Sequence, residues 1–164
     1  MITLLGLNKI LAIYVGPSGY LVLGQLNSLM QVVGTFASGG VNSGLVKYTA
    51  EFHSDEEEQK KIWSTSASIA FFCSVATAVI VVVLHKNLAV WVLDDLAFSV
   101  LFIVYGISIP FIAFNSIFLS ILNGKKDIRR YVMASIVGNI VVFAVTSFLA
   151  INFSLFGAMI ALVL

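Results

Sequence analysis

No charged residue falls between Ile10 and Val46, and six small or polar residues inside that stretch recur at a helical spacing. Gly24, Ser28, Gln31, Thr35, Ser38 and Asn42 follow one another at alternating steps of four and three, which keeps them on one face of an α-helix. The remaining faces are mostly Leu, Val, Met and Phe. One crossing of a bilayer takes about 20 apolar residues, so the stretch is long enough to cross once and reverse. Hydrocarbon offers no partner to Gln or Asn. The stripe therefore belongs against other helices or against water. Spacing alone leaves both open: helix–helix contact, where such groups contribute about 0.6–2 kcal/mol each, or the wall of a hydrophilic path.

Continued along the chain, the same pattern predicts helices at 1–15, 20–52, 62–84, 96–122, 131–151 and 155–164. Gly16-Pro17-Ser18-Gly19 reads as a tight turn, because Pro17 fixes φ and Gly19 permits a positive one. Tyr14 and Tyr20 flank it, as aromatics do at a membrane surface. Gly40 and Gly44 have the spacing that lets helices approach closely, while Gly39-Gly40 would equally loosen the helix; the sequence leaves the two open. Ser54 with Glu57 fits a capping box, and Glu56, Glu57 and Glu58 suit a solvated first turn. Leu88–Leu93 is too short to span and is expected at the interface. Asp94 and Asp95 are expected to cap the next helix rather than to hold a cation. That helix carries Pro110, expected to kink it, and a partly polar face of Ser108, Ile112, Asn115, Leu119 and Asn123. Asn152-Phe153-Ser154 reads as a turn. A first helix of about 22 Å, against a core of about 30 Å, and a last one that stops at Leu164 make the chain read as truncated at both ends.

Composition narrows the class. Of 164 residues, 60% are hydrophobic and 10% charged, with a mean hydropathy of +1.05. Soluble domains carry about 25% charge, so the chain is read as an all-α, polytopic membrane protein. Its charges are segregated. Lys47, Lys60, Lys61, Lys125, Lys126, Arg129 and Arg130 fall in loops expected on one side, against Lys86 alone on the other. The positive-inside rule makes the basic side cytoplasmic, and with a reversal at Gly16–Gly19 the N-terminus is cytoplasmic too. Cys73 is the only cysteine, and no His/Cys cluster has metal-ligand spacing, so neither metal nor cofactor is expected. Lys9 is the one charge inside a predicted span. It either snorkels to a headgroup or meets an anion in a wet cavity.

Lys9-Ile10-Leu11-Ala12, Gly16-Pro17-Ser18-Gly19 and the run from Gly39 to Tyr48 together resemble the N-terminal region of bacterial O-antigen translocases, the Wzx-type flippases of the superfamily that includes MATE exporters. Asn123-Gly124-Lys125-Lys126-Asp127 is similar to theirs as well. The resemblance implies the first six-helix lobe, its last helix incomplete, of a two-lobed carrier in the bacterial inner membrane. Such a carrier flips undecaprenyl-pyrophosphate-linked oligosaccharide by alternating access. It implies membrane lipids, a second lobe and other polysaccharide-assembly proteins as partners, and no nucleic acid. It places Lys9, Ser28, Gln31, Thr35, Ser38, Asn42 and Asn115 along the substrate path. A lipid II or drug exporter of the same superfamily, or a remnant of a disrupted flippase gene, are the alternatives. An assembly enzyme is disfavoured, because only His85, Asp94 and Asp95 fall in external loops and they form no catalytic set.

Overall fold

The computed structural model describes the backbone of residues 2–163 and the side chains at 19, 21–149, 157, 159, 160 and 163. Among these residues there are six α-helices and no strand: α1 (Ile2–Ala37), α2 (Asn42–Glu51), α3 (Glu56–Val83), α4 (His85–Leu93), α5 (Ser99–Gly124) and α6 (Ile128–Val163), with a 3₁₀ turn at Leu96–Phe98 before α5. Three stretches are long and apolar enough to cross a membrane: Glu56–Val83, Leu96–Gly124 and Ile128–Leu149. The chain is an all-α membrane protein.

The helices are divided differently from the sequence expectation. Gly16-Pro17-Ser18-Gly19 lies inside α1, and Asn152-Phe153-Ser154 lies inside α6. Each of these helices has 36 residues and is therefore about 54 Å long. The fixed φ of proline is itself a helical value, so Pro17 removes one backbone hydrogen bond without forcing a reversal. Asn-Phe-Ser contains neither glycine nor proline. The break falls instead at Ser38–Val41, inside the helix expected over 20–52. Gly39 and Gly40 both adopt positive φ there, +61° and +65°. That settles the glycine alternatives. Gly40 and Gly44 are not at a helix–helix contact: a Cβ on Gly40 would meet nothing within 4 Å, and one on Gly44 only the Tyr48 ring. Close approach is made by Gly106, which sits against Val82 and the Ala78 carbonyl, and by Gly124, which sits against Thr49 and the Val46 carbonyl.

Capping chemistry sets the other boundaries. Asp55, not Ser54, caps α3, its Oδ1 accepting from the Glu57 and Glu58 amides at 3.1 Å. Three glutamates then favour the positive end of the helix dipole. Asp94 ends α4 in the left-handed conformation, and Asp95 accepts from Ala97 N at 2.8 Å to start the 3₁₀ turn. The two aspartates thus serve two different helix ends. At the end of α5, Lys126 takes φ +57° while the Asp127 amide donates back to the Leu122 carbonyl, closing the helix as a glycine would. Asp127 then caps α6 through Arg130 N.

α5 touches every other helix and carries the core. Leu101, Phe102, Tyr105 and Ile109 pack with Leu23 and Leu26 of α1, Val81 of α3, Ala89 and Leu93 of α4, and Met159 and Val163 of α6. A smaller cluster, Leu45, Ala70 and Ile117, joins α2, α3 and α5. Thr49 organises the basic end. It is fully buried, its carbonyl accepts from Gln59 Nε2 at 2.9 Å, and its hydroxyl accepts from the Trp63 indole at 3.0 Å. These contacts, with Gly124 against Thr49, bring the end of α2, the start of α3 and the end of α5 together. In contrast, α6 is largely exposed from Ile128 to Phe148, as is α3 at Phe71, Phe72, Val79, Ile80 and Val83. Faces of this composition suit lipid.

Candidate functional site

The buried face of α1 is Leu23, Leu26 and Ala37, with Leu29, Met30 and Val33 partly covered. A helix that buries these residues must turn the alternating polar stripe away from the core. Ser28, Gln31 and Thr35 are accordingly exposed. The chain then reverses through Gly39 and Gly40, and Asn42 opens α2 beside α5. The result is a cleft of about 530 Å³ bounded by the last turns of α1, the first turn of α2 and the middle of α5.

Gln31, Thr35, Ser38 and Asn42 all line this cleft. From α5 come Tyr105 and Ser116, over an apolar floor of Ile109, Ile112 and Ala113. Asn42 Nδ2 donates to Ser116 Oγ at 2.9 Å, a tie between α2 and α5. Asn42 Oδ1 is buried and has no hydrogen-bond partner among the described residues. Tyr105 is buried, and its hydroxyl donates to the Met30 carbonyl at 3.0 Å, tying α5 to α1. Thr35 Oγ1 donates to the Gln31 carbonyl at 2.9 Å, and Ser38 Oγ to the Thr35 carbonyl at 2.9 Å. The side chain of Gln31 is exposed, with no hydrogen bond among the described residues.

Two of the expected lining residues are elsewhere. Ser28 lies on the same face of α1 but beyond the cleft, with Oγ donating to the Gly24 carbonyl at 3.0 Å. Asn115 is exposed and does not line the cleft; its neighbour Ser116 does. Adjacent positions on a helix differ by about 100°, so the phase assigned to the polar face of α5 was one residue out. Ser108, also placed on that face, is buried and bonds back to the Val104 carbonyl at 3.0 Å. Lys9 lies on α1, and its side chain is outside the described residues. Tyr105 is not among the residues expected from the sequence, though a phenol inside an apolar span needs a buried partner and is in that sense a signal.

Chemically, the cleft presents hydroxyl and amide groups with no carboxylate, imidazole or ammonium among its lining residues. No group of His, Cys, Asp or Glu among the described residues could hold a metal ion. Its volume is in the range of small-molecule sites, and its groups are suited to hydrogen-bonding an uncharged polar ligand.

Comparison with known proteins agrees in class. The chain is 23% identical over 133 residues to the lipid III flippases of Escherichia coli (strain K12) and Shigella flexneri. The aligned part is 81% of this chain and 32% of those proteins, so the chain spans about a third of the length of the curated relatives it matches. No solved structure shows a significant match. The model of one family, described as polysaccharide biosynthesis protein, matches residues 3–164. An all-α membrane bundle with an uncharged polar cleft, matched over nearly its whole sequence, thus belongs to the polysaccharide biosynthesis protein family.

Proposed function

We propose that this chain forms part of a carrier that moves an undecaprenyl-pyrophosphate-linked oligosaccharide, an O-antigen or related surface-polysaccharide unit, from the cytoplasmic to the periplasmic face of the bacterial inner membrane. The cleft lined by Gln31, Thr35, Asn42, Tyr105 and Ser116 carries this reading. Sugars offer many hydroxyls and little charge, and a neutral hydroxyl–amide wall in an otherwise apolar bundle answers that chemistry. The likeness to lipid III flippases supports the same class of cargo. A second lobe would face this cleft, and alternating access would open it to each side in turn. Lys9 is assigned to the cargo's pyrophosphate, whose charge the described cleft does not match.

Chromosomal replacement tests the assignment. Gln31→Leu and Asn42→Leu each lower surface polysaccharide about two- to tenfold at unchanged membrane abundance, the equivalent of one hydrogen bond of about 0.5–1.5 kcal/mol. Undecaprenyl-linked units accumulate on the cytoplasmic side. Accumulation of unpolymerised units outside would point to an assembly enzyme instead. Lys9→Arg retains polysaccharide, whereas Lys9→Ala and Lys9→Gln lose it; full activity in Lys9→Ala would reduce the residue to an anchor.

The same reading makes the basic end cytoplasmic. In a Cys73-free background, cysteine at Ser18 reacts with an impermeant thiol reagent in intact cells and cysteine at Ser54 does not. The opposite pattern inverts the orientation. Cysteine at Thr3 reports on the N-terminus. Protection there accompanies a cytoplasmic N-terminus and a reversal at Gly16–Gly19, and labelling accompanies α1 as one continuous crossing.

A further inference from the structure

The basic end of the bundle holds a second recess, of about 350 Å³, lined by His53, Glu56, Gln59, Lys60, Trp63 and Lys125. Its wall is fixed. The Trp63 indole is tied to the Thr49 hydroxyl, and Gln59 to the Thr49 carbonyl. Its cations are not. Lys60 is exposed and only 3.9 Å from an equally exposed Glu56, a contact that solvent weakens. Among the described residues Lys125 has no carboxylate partner, and its Nζ rests 4.4 Å from the centre of the Trp63 ring. Lys126 and Arg129, one and four residues on, are likewise without carboxylate partners among the described residues.

Position completes the picture. The recess lies where α3 begins and α5 ends, and both helices are apolar enough to cross a membrane between their ends. Headgroups lie at that level, where tryptophan and basic side chains gather. We propose that this recess binds the phosphate of an anionic membrane phospholipid, with Lys125 leaving the Trp63 ring to take it and Lys60 closing on the same group. An ammonium resting on a half-buried ring is held less firmly than one hydrogen-bonded to a phosphate oxygen, so the exchange runs towards the lipid. The ring keeps its place through Thr49 and is uncovered as the lysine moves. The site is separate from the polar cleft and does not depend on what the cleft carries.

Trp63 reports directly on this exchange. The chain has two tryptophans, so Trp91→Phe leaves Trp63 as the single emitter. The full chain in neutral detergent is titrated with dihexanoylphosphatidylglycerol, dihexanoylphosphatidylcholine or inorganic phosphate. Phosphatidylglycerol changes Trp63 emission saturably, and the other two do not. Lys125→Gln raises the half-saturating concentration about tenfold, a loss of about 1.4 kcal/mol. Lys125→Arg restores it, and Lys86→Gln, in the first turn of α4 beyond the far end of α3, leaves it unchanged. Should Lys125→Gln fail to elute as a folded species, Lys60→Gln serves in its place, with a smaller shift in the same direction. Equal responses to the two lipids, or an unshifted titration in folded Lys125→Gln, would overturn the site. Equal saturation by inorganic phosphate would overturn the lipid as its occupant.

Discussion

Gly124→Ala lowers the stability of the bundle by about 1–3 kcal/mol, the usual cost of overpacking. The added Cβ would lie 2.6 Å from Thr49 Cβ and 2.9 Å from the Val46 carbonyl oxygen. The second neighbour is backbone, so no change of rotamer relieves it. α2 has to move away from α5, and Thr49 moves with it. The acceptors for Gln59 and for the Trp63 indole then leave together, which adds lost hydrogen bonds to the steric cost. A thermal melt of detergent-solubilised protein, followed by size exclusion, measures the loss. Gly44→Ala and Gly138→Ala are the controls. Neither added Cβ has a neighbour closer than 4.0 Å, and alanine is the better helix former by about 0.8–1.0 kcal/mol. Equal destabilisation in all three would mean that glycine is needed for something other than close approach.

Gly39→Ala combined with Gly40→Ala removes the break between α1 and α2. Both glycines adopt left-handed φ, which costs an L-residue about 1–2 kcal/mol each. At Gly39 the new Cβ would also press on Ile69 Cγ2 at 3.1 Å and Cys73 Sγ at 3.2 Å. The relaxed alternative is continuous helix from α1 into α2, which swings Asn42 away from Ser116. A cysteine pair at these two positions, with Cys73 replaced, forms a disulfide readily in the parent and poorly in the double-alanine protein. Surface polysaccharide falls in parallel. Undiminished cross-linking would show that the break is held by its surroundings and not by the glycines.

These two predictions also mark how far the sequence could be read. The membrane class and the polar face of α1 followed from charge depletion and from a period that only a helix satisfies. Four of the stripe residues do meet in one cleft. The positions of the breaks did not follow. A proline between glycines suits a reversal at Gly16–Gly19, yet its φ also fits a helix, and the spacing of Gly40 with Gly44 competes locally with a break at Gly39-Gly40. Neither Gly106 nor Gly124 has a second glycine four residues away, and what each accommodates lies on another helix. The same holds for Tyr105 and Ser116. Their partners, Met30 and Asn42, are 75 and 74 residues away in sequence. The face of Ser108, Ile112, Asn115, Leu119 and Asn123 shares only Ile112 with the cleft, since one position on a helix is enough to turn Asn115 away and bring in Ser116.

The hydroxyls of α1 bear on how the chain is made. Ser28 donates to Gly24, Thr35 to Gln31 and Ser38 to Thr35, all within or at the end of their own helix. A newly synthesised α1 can therefore leave the insertion machinery with these donors already satisfied, before any other helix is present. The amides of Gln25, Asn27 and Gln31 are the exceptions among the described side chains of α1, since none donates to a backbone carbonyl of its own helix. The penalty for waiting in lipid without a partner thus falls on these amides, of which Gln31 alone lines the cleft. Residence time of α1 at the insertase, and its capture there by quality-control proteases, should respond to Gln31→Leu and be indifferent to Ser28→Ala.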